Sequence, residues 1–199
     1  MPATRAAVTV LGLLLAGCSG APNPSPSPAS HDRGRPLPSP VPEIVARVNG
    51  QPIRIGQILP IAKLELDKVS VADRDRRKPE VLRRALDQYV DRELFLQEAL
   101  ARGIQADSRE VDWAYDQMRR EHADEKAWAE FLAEQGMDPQ SLKVELRAQH
   151  TVATLVEQEV GASPLPEPAD EAGRQARRRA IHDALLERLR GKARIELLL

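Results

Sequence analysis

The chain is poor in the residues that build most catalytic and metal-binding sites. It has a single cysteine, which excludes an intramolecular disulfide. Its histidines are isolated and show no metal-ligand spacing with a cysteine or with one another. No phosphate-binding glycine loop and no Gly-x-Ser-x-Gly elbow is present. We therefore expect no catalytic residues, no metal and no cofactor, and an enzyme is the weaker class of function.

Aromatic residues and net charge are also scarce. With 3% aromatics, the core must be built from Leu, Val, Ile and Ala. The formal net charge of −1 gives no overall attraction to nucleic acid or to an anionic membrane. We expect neither a nucleic acid nor a small-molecule substrate as a partner. The chain has 199 residues, which suffice for one modest core or for a core with a projecting lobe.

No hydrophobic run is long enough to span a bilayer as a stable anchor. Arg5 precedes a short apolar run at 6–16, which is the pattern of a secretory signal peptide. We predict that residues 1–17 are a signal peptide.

The apolar run ends in a sequence that resembles the bacterial lipobox. This sequence is Leu15-Ala16-Gly17-Cys18, and Cys18 is the only thiol of the chain. We predict that Cys18 carries a lipid anchor, since several acyl chains make detachment slow. The alternative is an ordinary signal peptide with a cysteine there by chance. Ser19 at the next position favours the outer membrane, with the protein facing the periplasm.

Residues 18–43 are predicted to be a disordered linker. Prolines recur among serine and alanine, and such a segment buries too little apolar area to offset the entropy of ordering. An extended polyproline conformation would reach on the order of 70 Å. The folded domain would then stand clear of the membrane surface.

A β-hairpin is predicted at 44–58, where the folded region begins. Asn49-Gly50 is the dipeptide best suited to a two-residue type I′ turn, because both central residues need positive φ. In that register Arg47 faces Pro52. Pro52 lacks an N–H donor and is acceptable only on an edge strand. A third strand must therefore join the other strand, and the one convincing candidate is 193–198.

The rest of the folded region is predicted to be helical, which gives a mainly α fold with a small antiparallel sheet. A core helix is predicted to begin at Pro79. The polar run at 72–78 before it is expected to be a loop and helix entry rather than a nucleic-acid patch, because its charges are of mixed sign and no aromatic is interleaved. A proline-rich break at 161–169 divides a helical domain at 44–160 from a returning helix and strand at 170–199. The predicted helices are Gln57 to Val69, Pro79 to Arg102, Ser108 to about His122, a short helix from Asp124 to Gly136, Asp138 to about Val160, and Asp170 to Arg190.

Most of the aromatic and methionine side chains fall within one predicted lobe. Adaptable apolar surface of this kind suits varied extended polypeptides. We therefore expect these residues to be client-binding, with the alternative that they pack the lobe's own small core. They are Trp113, Tyr115, Met118, Trp128, Phe131 and Met137.

The hairpin and helices resemble the N-terminal domain of the SurA-type periplasmic chaperones, which include SurA-, PrsA- and PpiD-like proteins. The resemblance covers nearly all of 44–160, and 172–199 is similar to the helix and strand that return to complete that domain. It rests on VARVNGQPI at 45–53, LDQYVDREL at 86–94, QEALARGI at 97–104 and FLAEQGMD at 131–138.

The chain departs from that family in one informative place. Full-length relatives carry parvulin-type prolyl isomerase domains before the returning helix, whereas this chain has only 161–169 there. An isomerase core needs roughly a hundred residues. The resemblance thus implies a membrane-anchored, ATP-independent chaperone that binds unfolded exported polypeptides. The alternative is an assembly lipoprotein that holds one defined envelope or secretion partner, and a prolyl isomerase is less expected.

Overall fold

The computed structural model describes residues 37–164, 166 and 168–199. The predicted signal peptide, Cys18 and most of the predicted linker lie outside these residues, so their roles stay predictions. Within the described part the fold is mainly α with one small sheet, as predicted. The strands are β1 (Ile44–Val48), β2 (Gln51–Arg54) and β3 (Ile195–Leu197). The helices are α1 (Ile55–Asp67), α2 (Arg74–Ala101), α3 (Ser108–Arg120), α4 (Glu125–Glu134), α5 (Pro139–Ala162) and α6 (Glu171–Lys192).

The predicted hairpin is confirmed in turn and register. Asn49 and Gly50 have φ angles of 52° and 86°, which is the left-handed region that a type I′ turn requires. Val48 lies opposite Gln51, and Arg47 lies opposite Pro52. The strand order is β2-β1-β3, so Pro52 is on an edge strand as expected.

The closing strand is also confirmed, although it is shorter than predicted. β3 pairs antiparallel with β1, and Arg47 lies opposite Glu196. At one end of the pairing the Asn49 N–H donates to the Arg194 carbonyl at 2.8 Å, and at the other the Leu198 N–H donates to the Val45 carbonyl at 2.9 Å. The two ends of the folded region therefore close on each other.

The start of the core helix was predicted wrongly. α2 begins at Arg74 rather than at Pro79, so most of the expected loop is helical. The alternating charges of this segment form ion pairs three residues apart, such as Arg76 with Asp73 at 2.7 Å and Arg77 with Glu80 at 3.1 Å. Such pairs stabilise an exposed helical turn. The first pair precedes Pro79 and the second spans it. The missing N–H of Pro79 was the reason to begin the predicted helix there.

Two apolar cores share the long helix α5. The first core joins the sheet, α1, α2 and α6 to the C-terminal half of α5, where Leu155 is fully buried. The second core joins α3 and α4 to the N-terminal half of α5 through Leu142 and Leu146. The link between α2 and α3 is fixed by the buried Thr151, whose hydroxyl accepts from the Ala106 N–H at 3.1 Å.

The return from α5 to α6 is held by arginines of α6. The Arg177 guanidinium donates to the carbonyls of Val160 and Ser163, at 2.9 Å and 3.4 Å. Both acceptors stand at the end of α5, where backbone carbonyls lack helical partners. Arg178 forms an ion pair with Glu157, also on α5. The short proline-rich break thus connects two helices that are tied directly to each other.

Candidate binding groove

An open groove of about 1160 Å³ lies between the two cores. α1 forms one wall, and the turn between α4 and α5 with the first half of α5 forms the other. α2 runs along the floor. We call this space the groove throughout.

The first wall is apolar because α1 carries more apolar residues than one buried face can take. Ile58 and Ala62 of α1 are buried in the first core. Leu59, Ile61 and Leu66 lie on the groove side, and Leu59 remains 47% exposed. An amphipathic helix normally presents polar residues on its outer face, so this side of α1 is an exception.

The opposite wall is positioned by the start of α5. The Asp138 carboxylate accepts from the Ser141 N–H at 2.7 Å, and Pro139 occupies the first turn, a combination that fixes where the helix begins. Leu142 faces the second core, while Val144 lines the groove and is 54% exposed. Met137 lines the same wall.

The polar groups on the floor are already engaged with one another. Gln57 donates to the Tyr89 hydroxyl at 2.7 Å, and Arg92 donates to the mostly buried Glu145 at 2.7 Å. Burial raises the pKa of the Tyr89 phenol, although the positive charge of Arg92 opposes the shift. These contacts tie α2 to α1 and α5, and the walls offer apolar side chains together with exposed polar ones such as Lys63 and Gln140.

The groove has no net charge. Its lining includes four basic and four acidic side chains, and several of them pair with each other, such as Lys63 with Asp67 at 3.0 Å. A charged ligand would meet no excess of the opposite sign. Contacts in the groove must come mainly from apolar side chains and from backbone or amide groups.

Five of the six residues predicted to bind clients belong to the second core. Trp128 is buried, and its indole donates to the Tyr115 hydroxyl at 3.3 Å. The ring of Phe131 stacks on that of Trp128 with 5.5 Å between centroids. Met118 and Met137 pack against the same cluster. These positions match the alternative that the residues form the lobe's own core, and their role in client binding stays a prediction.

Trp113 and Met137, two of the predicted client-binding residues, are accessible on different surfaces. Trp113 is 65% exposed on α3 and does not line the groove. Met137 touches the second core and also lines the groove. The structure therefore does not gather the six side chains into one surface.

Sequence reasoning missed the residues that do form the walls. Leu59 and Val144 were not singled out in the sequence, and Leu66 was taken only as part of the apolar pattern of a predicted helix. The sequence of α1 does indicate an apolar wall. Its apolar residues are too many to fit on the one face of a helix that packs against a core; they are at 58, 59, 61, 62, 64 and 66. Nothing comparable marks Val144, because its exposure depends on how α5 is shared between two cores.

Neither a metal cluster nor a membrane span is found in the described part of the chain. Residues 37–164, 166 and 168–199 contain no group of three His, Cys, Asp or Glu side chains placed to hold a metal. No helix among them has the length and apolarity to cross a bilayer.

The fold is mainly α, and an open groove without net charge lies between its two cores. A family model described as the SurA-like N-terminal domain matches residues 23–156. The match covers more than half of the chain, and the chain therefore belongs to this family. α6 and β3 lie beyond the matched residues, although β3 completes the sheet.

Family membership confirms the resemblance seen in the sequence, and no parvulin domain is indicated. The SurA N-terminal domain is a chaperone-type, non-catalytic domain. Membership also indicates polypeptide substrates and a location in the periplasm or cell envelope. Comparison with curated proteins and comparison with solved structures gave no match.

Proposed function

We propose that the groove binds extended apolar segments of unfolded exported polypeptides and thereby delays their aggregation without ATP. The observation that supports this most directly is the pair of walls with exposed apolar side chains, Leu59 on one and Val144 on the other, above a floor where Tyr89 and Arg92 already bond to Gln57 and Glu145. Apolar surface that is exposed in a groove and bordered by polar residues is typical of ligand-binding and interaction sites.

The absence of net charge in the groove fits clients that share little sequence. Apolar contacts are non-directional and scale with the area removed from water, so they do not demand one defined partner. An uncharged groove also neither selects nor rejects a client by the sign of its charge. An assembly protein for a single partner would instead gain specificity from complementary charges.

We further propose that the protein is held at the membrane by a lipid on Cys18, with sorting to the outer membrane. The support is the lipobox-like sequence that ends at Cys18 and the serine that follows it. Cys18→Ser should move the protein from the membrane fraction to the soluble fraction and abolish incorporation of labelled palmitate. Unchanged membrane association of the variant would contradict the anchor.

We propose that the protein has no prolyl isomerase activity of its own. The support is its membership in a non-catalytic domain family and the short segment at 161–169, where full-length relatives carry the isomerase. A protease-coupled assay on a proline-containing peptide should give the uncatalysed rate. A rate that rises in proportion to protein concentration would contradict this part of the proposal.

The groove is tested by how well the purified full chain suppresses aggregation of a denatured outer-membrane β-barrel protein diluted from urea. Leu59→Gln combined with Val144→Gln removes apolar contact from both walls without opening a core. We expect the concentration needed for half suppression to rise about fivefold, since this corresponds to roughly 1 kcal/mol of lost apolar contact.

Leu100→Gln is the matched control because Leu100 is also an exposed leucine but lies outside the groove. It should behave like the unaltered protein. No suppression by the unaltered protein at several-fold molar excess would refute the holdase function. Full activity of the double variant would show that clients bind outside the groove. A parallel Trp113→Gln variant tests the sequence-based prediction that Trp113 binds clients.

A further inference from the structure

The two edges of the sheet differ in the backbone groups that they offer. On the β2 edge Pro52 has no N–H, and the Arg54 N–H already donates to the Gln57 side chain at 2.7 Å. Native proteins protect edge strands by such devices, because unpaired backbone groups invite pairing with another chain. The β2 edge is therefore closed to an added strand.

The β3 edge keeps its backbone donors, although β3 is only three residues long and carries the charged Glu196. The backbone groups of Arg194 and Leu198 bond towards β1, and Glu196 is the residue opposite Arg47. Alternate residues of a strand direct their backbone groups to opposite sides, so the N–H and C=O groups of Ile195 and Leu197 point away from β1. β3 is the last strand of the described sheet on that side.

The side chains at this edge are apolar as well as accessible. Leu197 is 45% exposed and Leu198 is 47% exposed. Successive side chains of a strand point to opposite faces. A strand added beside β3 would thus meet an exposed leucine on each face of the sheet. Leu199, at 9% exposure, anchors the end of the segment in the first core.

We propose that the β3 edge binds an extended segment of an unfolded polypeptide as a fourth strand, giving the order β2-β1-β3-client. This surface is separate from the groove, and the choice of occupant depends on the proposed function. Bonds between backbones supply affinity without requiring a particular sequence, which suits a protein that receives many clients.

A second copy of this chain is a poorer occupant of the same edge. Antiparallel pairing of two β3 strands, with Ile195 opposite Leu197, places the two Glu196 side chains directly opposite each other. Like charges in that position destabilise a sheet, although Arg194 of the same chain pairs with each Glu196 at 2.6 Å and reduces the repulsion. A client with a neutral or basic residue at this position escapes the repulsion.

The test measures binding of a fluorescein-labelled peptide of alternating valine and threonine, with lysine at each end, to the full chain. A second peptide of the same sequence carries N-methyl groups on all central residues, which removes its backbone donors on both edges. We expect the methylated peptide to bind at least about fivefold more weakly, as loss of one or two net backbone hydrogen bonds implies. Equal affinities would overturn the proposal, as would no binding of the unmethylated peptide.

The edge itself is tested with Leu197→Pro, which removes one outward N–H and leaves the inward donors of Glu196 and Leu198 in place. Leu197→Val is the matched control, because it keeps both the N–H and the apolar side chain. We expect about fivefold weaker binding for the proline variant relative to the valine variant. Equal binding by two folded variants would refute the assignment of the edge.

A measurement on the unaltered protein covers the case in which Leu197→Pro does not fold. The peptide should slow hydrogen exchange at the amides of Ile195 and Leu197. Exchange unchanged by saturating peptide would overturn the proposal. The exchange at these amides is also measured without peptide at several protein concentrations. If it slows as the protein concentration rises, a second copy occupies the edge, and this too would overturn the proposal.

These experiments distinguish a failure of the proposed function of the groove from a failure of the proposal about the β3 edge. Equal peptide binding by folded Leu197→Pro and Leu197→Val, with loss of aggregation suppression by the Leu59 and Val144 double variant, refutes the edge alone. No suppression by the unaltered protein refutes the proposed function, whatever the peptide does at β3.

Discussion

Asn49 connects three parts of the protein through one side chain, and its replacement tests the sheet that joins the two ends of the domain. Its Oδ1 accepts from the Arg194 N–H at 2.9 Å, and its Nδ2 donates to the Gln97 side chain at 2.8 Å. Its φ of 52° also lies in the left-handed region. Two different substitutions separate these roles.

Asn49→Gly keeps the backbone geometry and removes both side-chain hydrogen bonds. Each such bond contributes about 0.5–1.5 kcal/mol net, so the free energy of unfolding should fall by about 1–3 kcal/mol. Asn49→Ala loses the same bonds, and alanine also lacks the polar side chain with which asparagine tolerates the left-handed region, which costs about 1–2 kcal/mol relative to glycine. The expected loss for alanine is therefore about 2–5 kcal/mol.

Equilibrium unfolding in urea measures both variants, and thermal unfolding gives an independent check at about 2–4 °C per kcal/mol for a chain of this size. Gln51→Ala is the control, because Gln51 is an exposed neighbour outside both hydrogen bonds; its effect should stay within about 0.5 kcal/mol. A glycine variant as stable as the unaltered protein would show that the side chain of Asn49 does not connect the hairpin to β3 and α2. Equal losses for glycine and alanine would contradict the backbone part of the argument.

Three further outcomes concern side chains that are wholly or largely buried. Thr151→Val should lower the free energy of unfolding by about 1–3 kcal/mol, because the Ala106 N–H loses its acceptor; urea unfolding that matches the unaltered protein would contradict this. Leu155→Ala should cost about 2–5 kcal/mol by leaving a cavity in the first core, and a loss below about 1 kcal/mol would argue against its burial. Burial raises the pKa of Asp91 to about 6, against the opposing charge of Arg190. The folded state then holds more protons than the unfolded state between about pH 4 and pH 6, so stability falls as pH rises through that range by up to about 1.4 kcal/mol per unit. Asp91→Asn should flatten this dependence in urea titrations at several pH values, and an unchanged slope would contradict the shift.

Local chemistry made the sheet predictable from the sequence. The Asn49-Gly50 turn fixes the register of the hairpin, and the missing N–H of Pro52 determines which side the third strand takes. Both arguments need only a few neighbouring residues. The helix that begins at Arg74 was harder to place, because Pro79 is a strong local signal and the ion pairs around it are weak individually.

The groove could not be predicted in the same way, since it arises from the sharing of α5 between two cores. The sequence shows that Leu142, Val144 and Leu146 are apolar, but not that the middle one faces open space. For the aromatic residues of the second core, the sequence showed the composition but not the packing. This composition suggested a client surface, while the packing around Trp128 uses the same residues to hold α3, α4 and α5 together.

The pairing of β1 with β3 sets the order in which this domain can complete itself. The hydrogen bond from Arg194 to Asn49 joins residues 145 positions apart, and contacts of such long sequence separation form slowly. A chain that emerges N-terminus first presents β1 with an unpaired edge until its last segment arrives. During that interval the sheet exposes the same kind of backbone edge that an unfolded client would present. We expect β3 to cover the longer edge of β1 with a shorter strand, so truncation before Ile195 should yield a protein that associates with itself more readily than the full chain.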